Sequence, residues 1–300
     1  MEIREIKTFL QAAQSGSFVK AAQTLGYSQA AVTIQIKHLE EELGTVLFDR
    51  IGKQTQLTES GRTFQISANR IIQEIEEAKA EVRNTPDIKG TLRIGTIESI
   101  GAVLMPELIT RYHSSYPGVN IEMELDSPQN LLEHMNKNQL DMVYLLETRI
   151  FDTSCTKDME VPENVVAVTN PKHPLCKKEN LVLNDILKHD IILTEKGASY
   201  RKELEYLLSK RDQQISPFLT VGSTEFIVQY LKTHDVVSFL PEFTVKEELE
   251  TGTLKRLTVH ELESEEAPLR VWRQLLYRKD KWVNPQMKAF IELIKSTQEA

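Results

Sequence analysis

The feature that most restricts the fold is a series of helical patterns, separated by glycines, in the first 44 residues. In the second of these patterns apolar residues recur three or four positions apart: Phe18, Ala21, Ala22 and Leu25. This spacing predicts one face of a short helix, which Gly26 ends, since glycine is preferred just past a helix. Ser28 is then the predicted N-cap of the next helix. Two helices joined by so short a turn predict a helix-turn-helix motif.

A small hairpin and a long helix are predicted to follow. The segment "TVLFDRIGKQTQLTESG" (45–61) holds two strand-like pieces around a polar turn, which is typical of a wing. After Thr58, apolar residues alternate at steps of four and three: Phe64, Ala68, Ile71, Ile75, Ala78 and Val82. This alternation predicts a dimerisation helix with a coiled-coil seam. The alternative is a helix packed on its own domain, which needs a similar apolar stripe.

The pattern changes after "NTPDIKG" (84–90), where Pro86 and Gly90 predict a break between domains. Strand patterns then alternate with helical patterns over about 210 residues, which predicts two α/β lobes with a largely parallel sheet and a cleft. We therefore expect an α+β multidomain chain. Its predicted parts are a winged helix-turn-helix domain (1–58), a linker and dimerisation helix (59–84), a hinge (85–90), a first lobe (91–161 and 267–300) and a second lobe (162–266).

Composition and motif content narrow the classes of function. The formal net charge of −8 argues against a wholly basic nucleic-acid binder, although a small binding domain within an acidic chain is compatible with it. The chain has no apolar signal-peptide core and no run of ~18 apolar residues, so we expect a cytoplasmic protein without membrane contact. We find no metal-ligand spacing, phosphate-binding loop or nucleophile motif, and we expect no catalytic residue, metal or cofactor.

The third helix, between Ser28 and Gly44, is predicted to have two different faces. On a helical wheel an apolar stripe points towards the first two helices: Val32, Ile36, Leu39 and Leu43. The opposite face holds Ala30, Thr33, Ile34 and Lys37. A helix that only packs on its own domain would also have the stripe, so the residues alone leave both interpretations open.

If this helix enters the major groove of DNA, its outward residues have defined uses. Ile34 can contact the methyl group of thymine, and Gln29 or Gln35 can pair with an adenine edge. Residues 1–65 contain seven basic and seven acidic side chains, so affinity requires the basic groups to lie on one face. The predicted DNA-binding residues are Ser28, Gln29, Ala30, Thr33, Ile34 and Lys37, with Arg50 and Lys53 of the wing on phosphates.

Hydroxyl side chains recur where the predicted strands of the two lobes end. Ligands of α/β sheets bind there, at helix N-termini, so this pattern predicts a site for a small polar ligand, most simply an anion. The candidates are Thr96, Glu98, Ser99, Ser127, Thr194, Ser199, Ser223, Thr224 and Leu240. Each Ser or Thr is equally explained as a plain N-cap. Glu98 and Glu195 do not suit an anion; they either point away or favour a ligand with an amine.

Long stretches of the chain resemble the LysR-type transcriptional regulators. The match runs through "FLQAAQSGSFVKAAQTLGYSQAAVTIQIKHLEEELGTVLFDR" and "LTESG", and continues in "GTLRIGTIESIGAVLMPELITRYHSSYPGVNIEMEL" and "STEFIVQYLKTHDVVSFLPE". The resemblance implies a regulator that binds an interrupted inverted repeat in double-stranded DNA as a homodimer or homotetramer. It also implies a periplasmic-binding-protein-like effector domain controlled by a small molecule. RNA polymerase is a candidate partner.

The chain departs from the family pattern at positions that bear on function. The family usually has proline at position 30 and arginine at position 34, where this chain has Ala30 and Ile34. In "KTHDVVSFLP", Thr-His-Asp replaces a turn that is often glycine-rich in the family. Two rival interpretations remain: a redox-sensing regulator that uses Cys155 and Cys176, and a solute-binding module or enzyme.

Overall fold

The structure is a computed structural model that describes residues 1–51, 54–82, 88–263 and 269–297, apart from the side chains of residues 50, 51, 54, 73, 76–82 and 263. The chain divides into two compact units. The first contains Met1–Gly90 and Lys279–Ala289, and the second contains Thr91–Arg278 and Phe290–Ala300.

The first unit contains the predicted helix-turn-helix, wing and long helix. Its elements are α1 (Ile3–Ser15), α2 (Phe18–Leu25), α3 (Gln29–Leu43), β1 (Phe48–Ile51), β2 (Gln54–Leu57) and α4 (Glu59–Val82). The helix ends follow from local chemistry: Ser17 and Ser28 cap α2 and α3, and the glycines after α1, α2 and α3 adopt the left-handed conformation. The two strands pair antiparallel, with Phe48 opposite Leu57.

Aromatic rings join the elements of this unit. Phe9 of α1 packs against Phe48 of β1 and Phe64 of α4, with ring centroids 5.3 and 4.9 Å apart. Phe18 of α2 meets Phe48 edge-on at 5.2 Å. Each such pair contributes about 0.5–1.5 kcal/mol beyond its area burial. The wing and α4 are thus fixed to the helix-turn-helix by the same small core.

The apolar stripe of α4 packs largely on its own domain. Ala68 and Ile72 are fully buried in the core of the first unit, and Phe64, Ile71 and Ile75 pack against that core. The side chains of Ala78 and Val82 lie outside the described part. The apolar residues between positions 64 and 75 therefore cover the core of their own helix-turn-helix domain, which is the alternative interpretation of the stripe. A dimer through α4 stays a prediction and would use other positions of the helix.

The second unit alternates strands with helices. It contains β3 (Gly90–Thr96), α5 (Glu98–Val103), α6 (Met105–Ser115), β4 (Val119–Leu125), α7 (Pro128–Asn136), β5 (Met142–Glu147), β6 (Cys155–Thr169), α8 (Leu183–Ile186), β7 (Ile192–Leu193), α9 (Ser199–Ser209), β8 (Leu219–Thr220), α10 (Thr224–Leu231), β9 (Val237–Pro241), α11 (Lys246–Thr251), β10 (Lys255–Leu257), α12 (His260–Glu263), β11 (Arg270–Arg278) and α13 (Pro285–Ser296). α5 and α6 are separated at Leu104, because Pro106 lies in the first turn of α6 and begins a new helix.

The main sheet of this unit is mixed, and the prediction of a largely parallel sheet is wrong. Its order is β10-β6-β11-β5-β3-β4, with β9 also paired to β6. β3 and β5 are parallel, whereas β11 runs antiparallel to both β5 and β6. β11, which comes near the end of the chain, lies between β5 and β6 in the sheet.

The long strand β6 joins two halves of the second unit. Its first part pairs with β11, with Val161 opposite Arg273, and its last part pairs with β9 and β10. One half is built around β3, β4 and β5, with a core that includes Leu131, Val143 and Leu276. The other half contains β7, β8, β9 and β10. Helices at the ends of strands in both halves meet at one pocket.

Candidate DNA-binding surface and ligand pocket

The turn between α2 and α3 is fixed by backbone bonds and one side-chain cap. Gly26 has φ of 68°, and the amide of the next residue, Tyr27, donates to the carbonyl of Ala22 at 2.9 Å. Ser28 Oγ then accepts from the amide of Ala31 at 3.1 Å and starts α3. These hydrogen bonds hold the turn in one conformation, so the residues of the turn determine the direction of α3 relative to α2.

The inner face of α3 anchors it to the domain. Val32, Ile36 and Leu39 are completely buried, as predicted from the helical wheel. Leu43 was predicted to belong to this stripe, and that is wrong, because it is the last residue of the helix and lies partly exposed at the surface. Three buried apolar side chains, each worth about 1.5–3 kcal/mol, still fix the rotation of the helix about its axis.

The outer face of α3 presents the residues predicted to contact DNA. Ile34 is 62% exposed, and Gln29 and Ala30 are also exposed. Thr33 donates its hydroxyl proton to the carbonyl of Gln29 at 2.9 Å, so towards DNA the hydroxyl can act as an acceptor. Lys37 forms an exposed ion pair with Glu41 at 3.3 Å. A phosphate would compete with Glu41 for this ammonium group.

Two further residues of α3 have roles that the sequence did not reveal. Gln35 accepts a hydrogen bond from the hydroxyl of Thr8 at 2.6 Å, which ties its side chain to α1. Glu40 Oε1 accepts from the amides of Leu47 and Phe48, at 2.7 and 3.3 Å, and so holds the start of the wing. Gln29 is therefore the better placed of the two candidate glutamines, and Glu40 is an anchor between helix and wing.

The wing residues can be located only in part. Arg50 belongs to β1, opposite Thr55 of β2. The Arg50 side chain and the whole of Lys53 lie outside the described residues, so their contact with phosphates stays a prediction.

A pocket of about 360 Å³ lies where the two halves of the second unit meet. It is lined by residues that follow β3, β4, β7 and β8, by one residue each of β4 and β5, and by the first turn of α9. They are Ile97, Glu98, Ser99, Leu125, Asp126, Ser127, Pro128, Leu146, Thr194, Glu195, Gly197, Ala198, Ser199, Tyr200, Gly222 and Thr224. Positions at the carboxyl ends of strands in both halves are thus brought together, as the α/β rule requires.

The predicted ligand-site residues divide into two groups. Those that line the pocket are Glu98, Ser99, Ser127, Thr194, Ser199 and Thr224. The other three have different roles. Thr96 donates its hydroxyl to the carbonyl of Tyr144 at 2.7 Å, Ser223 Oγ accepts from the amide of Phe226, and Leu240 is fully buried in β9 opposite Val166.

Hydrogen bonds fix several of the lining residues. Glu98 Oε1 accepts from the amide of Thr224 at 3.0 Å, so it joins α5 to the N-terminus of α10. Ser199 donates to the carbonyl of Leu146 at 2.6 Å. Ser127 Oγ accepts from the amide of Asn130, which makes it an N-cap of α7. For Ser127 and Ser199, contact with a ligand would come in addition to a structural hydrogen bond.

Some features of the pocket were not foreseen. Tyr200 is buried, and burial raises the pKa of its hydroxyl to about 12. The apolar lining comes from Ile97, Leu125, Pro128 and Leu146, which carry no chemical pattern in the sequence. Hydrogen bonds from the amide of Ser127 and the side chain of Asn130 lower the pKa of Asp126, so this carboxylate stays ionised near neutral pH.

The two cysteines do not form a disulfide. Both thiols are free and partly buried. Burial raises the pKa of Cys155 and of Cys176. Reactive sensor thiols have a lowered pKa instead, because the thiolate is the nucleophile. Within the described ranges there is no group of three or more His, Cys, Asp or Glu placed to bind a metal ion, and no helix long and apolar enough to span a membrane.

Comparison with known families assigns both parts of the chain. Residues 3–62 match the bacterial regulatory helix-turn-helix protein of the lysR family, and residues 87–299 match the LysR substrate binding domain. The chain belongs to the LysR family of transcriptional regulators. It is therefore a DNA-binding regulator with a substrate-binding domain for a small-molecule effector, and the predicted family, fold class and function are confirmed.

Relatives and solved structures agree over the whole length of this LysR-family chain. It is 34% identical to the uncharacterised HTH-type transcriptional regulator YwqM of Bacillus subtilis, over 99% of both chains. CrgA, a LysR-type transcriptional regulator from Neisseria meningitidis, has a TM-score of 0.59 at 22% identity, with 99% of both chains covered. Full-length OxyR from Pseudomonas aeruginosa has a TM-score of 0.57 at 19% identity, covering 98% of this chain and 95% of that one. At such identities these two structures show the fold alone.

Proposed function

We propose that this LysR-family regulator binds an interrupted inverted repeat in double-stranded DNA and reads it with Gln29, Thr33 and Ile34. Lys37 and the wing, with Arg50 and Lys53, would hold phosphates, and Ser28 and Ala30 would lie at the DNA surface. The observation that carries this proposal is the division of α3 into a completely buried face and an exposed face. Side chains on the exposed face are free of the core and can enter a major groove.

We infer that the regulator acts as a homodimer that assembles into a homotetramer. Residues 1–65 hold equal numbers of basic and acidic side chains, so one copy of the DNA-binding segment has little general attraction for DNA. Two copies on one inverted repeat double the number of base contacts without needing more charge. The gain from two copies on one repeat is the same whichever residues form the contact between the copies.

We infer that a small molecule in the pocket controls this DNA binding, without any other cofactor and without catalysis. The pocket is lined from both halves of the second unit, so a ligand there would stabilise one arrangement of the halves over another. An effector shifts an equilibrium only through such a difference in affinity. We place the protein in the cytoplasm, with RNA polymerase as a candidate partner and no role for a membrane.

The DNA-binding proposal is tested by selecting binding sites from random duplexes with the full-length protein. We expect an enriched inverted repeat, and Gln29→Ala should weaken binding to it by about tenfold, the usual value of one good base contact. Gln139→Ala, which removes an exposed glutamine of the second unit, is the matched control. If no repeat is enriched, or if both variants bind like wild type, the proposed reading face is wrong.

A further inference from the structure

All the charged side chains that line the ligand pocket are acidic. Three carboxylates line it, from Glu98, Asp126 and Glu195, while its lining contains no Lys, Arg or His. Lys196 lies in the same loop as Glu195, but it is exposed and does not line the pocket. A small anion placed here would meet these carboxylates with no side-chain cation to offset the repulsion.

One of the helix N-termini at the pocket, that of α10, is already occupied by the chain itself. α10 begins at Thr224, whose amide donates to Glu98 Oε1 at 3.0 Å. The amide of Phe226, two residues further, donates to Ser223 Oγ at 3.2 Å. The positive end of the helix dipole is therefore balanced by the Glu98 carboxylate. Glu98 uses Oε1 for this bond, which leaves Oε2 for a ligand.

The second carboxylate lies beside the same loop. A Cβ placed on Gly222 would be 3.5 Å from Glu195 Oε2, so the carboxylate group reaches the segment just before α10. Glu195 is exposed and lines the pocket. Glu98 is the first residue of α5, and Glu195 lies in the loop after β7, so the two carboxylates approach the start of α10 from two different segments of the chain.

A buried hydroxyl points to a missing partner. Ser99 is 3% exposed and lines the pocket, and its Oγ has no hydrogen-bond partner among the described residues. Buried hydroxyls in native proteins are almost always hydrogen-bonded. A polar group of a bound ligand would satisfy this one. The apolar residues Ile97, Leu125 and Leu146 would cover a short carbon skeleton.

We propose that this pocket takes a small ligand with a protonated amine or guanidinium group, which Glu98 and Glu195 bind and to which Ser99 adds a hydrogen bond. The inference rests on the proposed function, because it names the class of the effector for the same pocket. Charge-assisted hydrogen bonds to two carboxylates select a cation over a neutral molecule of the same shape.

The test compares ligands of one length and different charge on the full-length protein. Isothermal titration at constant ionic strength would use 1,4-diaminobutane, agmatine and L-ornithine as cationic probes, 1,4-butanediol as the neutral one and succinate as the anionic one. We expect at least one cationic probe to bind roughly tenfold more tightly than the diol, as one or two hydrogen bonds to charged groups would give. Succinate should not bind.

Variants assign the selectivity to the two carboxylates. Glu98→Gln and Glu195→Gln should each lower the affinity for the cationic probe by roughly tenfold. Glu247→Gln, on the surface of α11, should not. A thermal melt of each variant checks that the fold is intact. In the Glu98→Gln variant the side-chain amide oxygen can still accept from the Thr224 amide, so the link to α10 is kept.

Several results would overturn this ligand class. They are tighter binding of succinate or the diol, absence of binding by every cationic probe, and cation binding that is unchanged in both glutamine variants. The proposed function fails on a different measurement, namely loss of sequence-specific DNA binding by the wild type. If an anionic metabolite alters DNA binding, the regulator stands and the ligand class is wrong.

Discussion

Arg273 Nε donates to Glu163 Oε2 at 2.8 Å, within the paired strands β11 and β6. The two side chains are only 12% and 9% exposed. A second nitrogen of Arg273 donates to the Tyr144 hydroxyl at 3.3 Å, and the amide of Phe243 donates to Glu163. Even with these partners, burial raises the pKa of Glu163. The pair lies on the strands that connect the two halves of the second unit.

Breaking this pair on one side should destabilise the protein strongly. We expect Arg273→Leu to lower the free energy of unfolding by about 3 kcal/mol, because it leaves a buried carboxylate without its cation. Replacing both residues by leucine should recover at least half of that loss, since the orphan charge is then gone. Urea denaturation of both variants measures this. Arg256→Ala, which breaks the exposed pair with Glu242, is the control and should cost under about 1 kcal/mol.

Ile34→Arg should change which DNA sequence is preferred. The position is exposed at the centre of the outer face of α3, so the substitution should not disturb the core. Arginine pairs with guanine, whereas isoleucine favours the methyl group of thymine, so the selected base at one position of each half-site should change. Binding-site selection with both proteins measures this. An identical preferred site would remove Ile34 from the set of residues that read bases.

The N-terminal helix should lose stability in acid through Glu5. The pKa of Glu5 is lowered, chiefly by the hydrogen bond from the amide of Glu2 at 2.8 Å and also by His38. A carboxyl with a lowered folded-state pKa stabilises fully above its ordinary value of about 4.5, and this contribution is lost as the pH falls through the lowered pKa. Glu5→Gln should remove this part of the pH dependence. Urea midpoints from pH 7 down to pH 3 measure it, with Glu250→Gln as a surface control.

Gly61→Ala should strain the junction between the wing and α4. A Cβ at this position would overlap the carbonyl oxygen of Leu47 and come within 2.9 Å of Leu57. Backbone cannot move aside as a flexible side chain does, so we expect a loss of about 1–3 kcal/mol. Thermal denaturation measures this. Gly197→Ala, where a Cβ meets only a side-chain carbon at 3.9 Å, should leave the melting temperature unchanged.

Replacing Cys155 and Cys176 together by serine should leave regulation unchanged. Both thiols have a raised pKa because of burial, so little thiolate is present at neutral pH. Reporter expression with and without peroxide, in the wild type and the double variant, tests this. A peroxide response that disappears in the double variant would favour a redox-sensing regulator.

The first unit was predictable because its signals are local. Ser17 and Ser28 as caps, and glycines such as Gly26 with positive φ, act within a few residues of the chain. The second unit depends on distant partners. The first part of β6 has polar residues and pairs with β11, more than a hundred positions away, so neither its length nor its direction is visible in the sequence.

The ligand pocket shows the same division. The rule about the ends of strands depends on the order of elements, and Ser99 and Thr194, which it selects, lie at the lining of the pocket. Whether a hydroxyl faces a ligand or the protein depends on what packs beside it. Thr96 is the example: it also lies at the end of a strand, yet its hydroxyl donates a hydrogen bond to the carbonyl of Tyr144.

Glu40 binds the wing to the C-terminal half of the recognition helix, while Gln35 is tied to α1. These hydrogen bonds hold α1, α3 and the wing together as one rigid group. We expect that an effector does not alter which bases each copy recognises, because that would require these bonds to break. Effector binding would instead change the distance between the two DNA-binding domains of a dimer. Protein with and without effector should therefore protect half-sites of the same sequence at different spacings along the DNA.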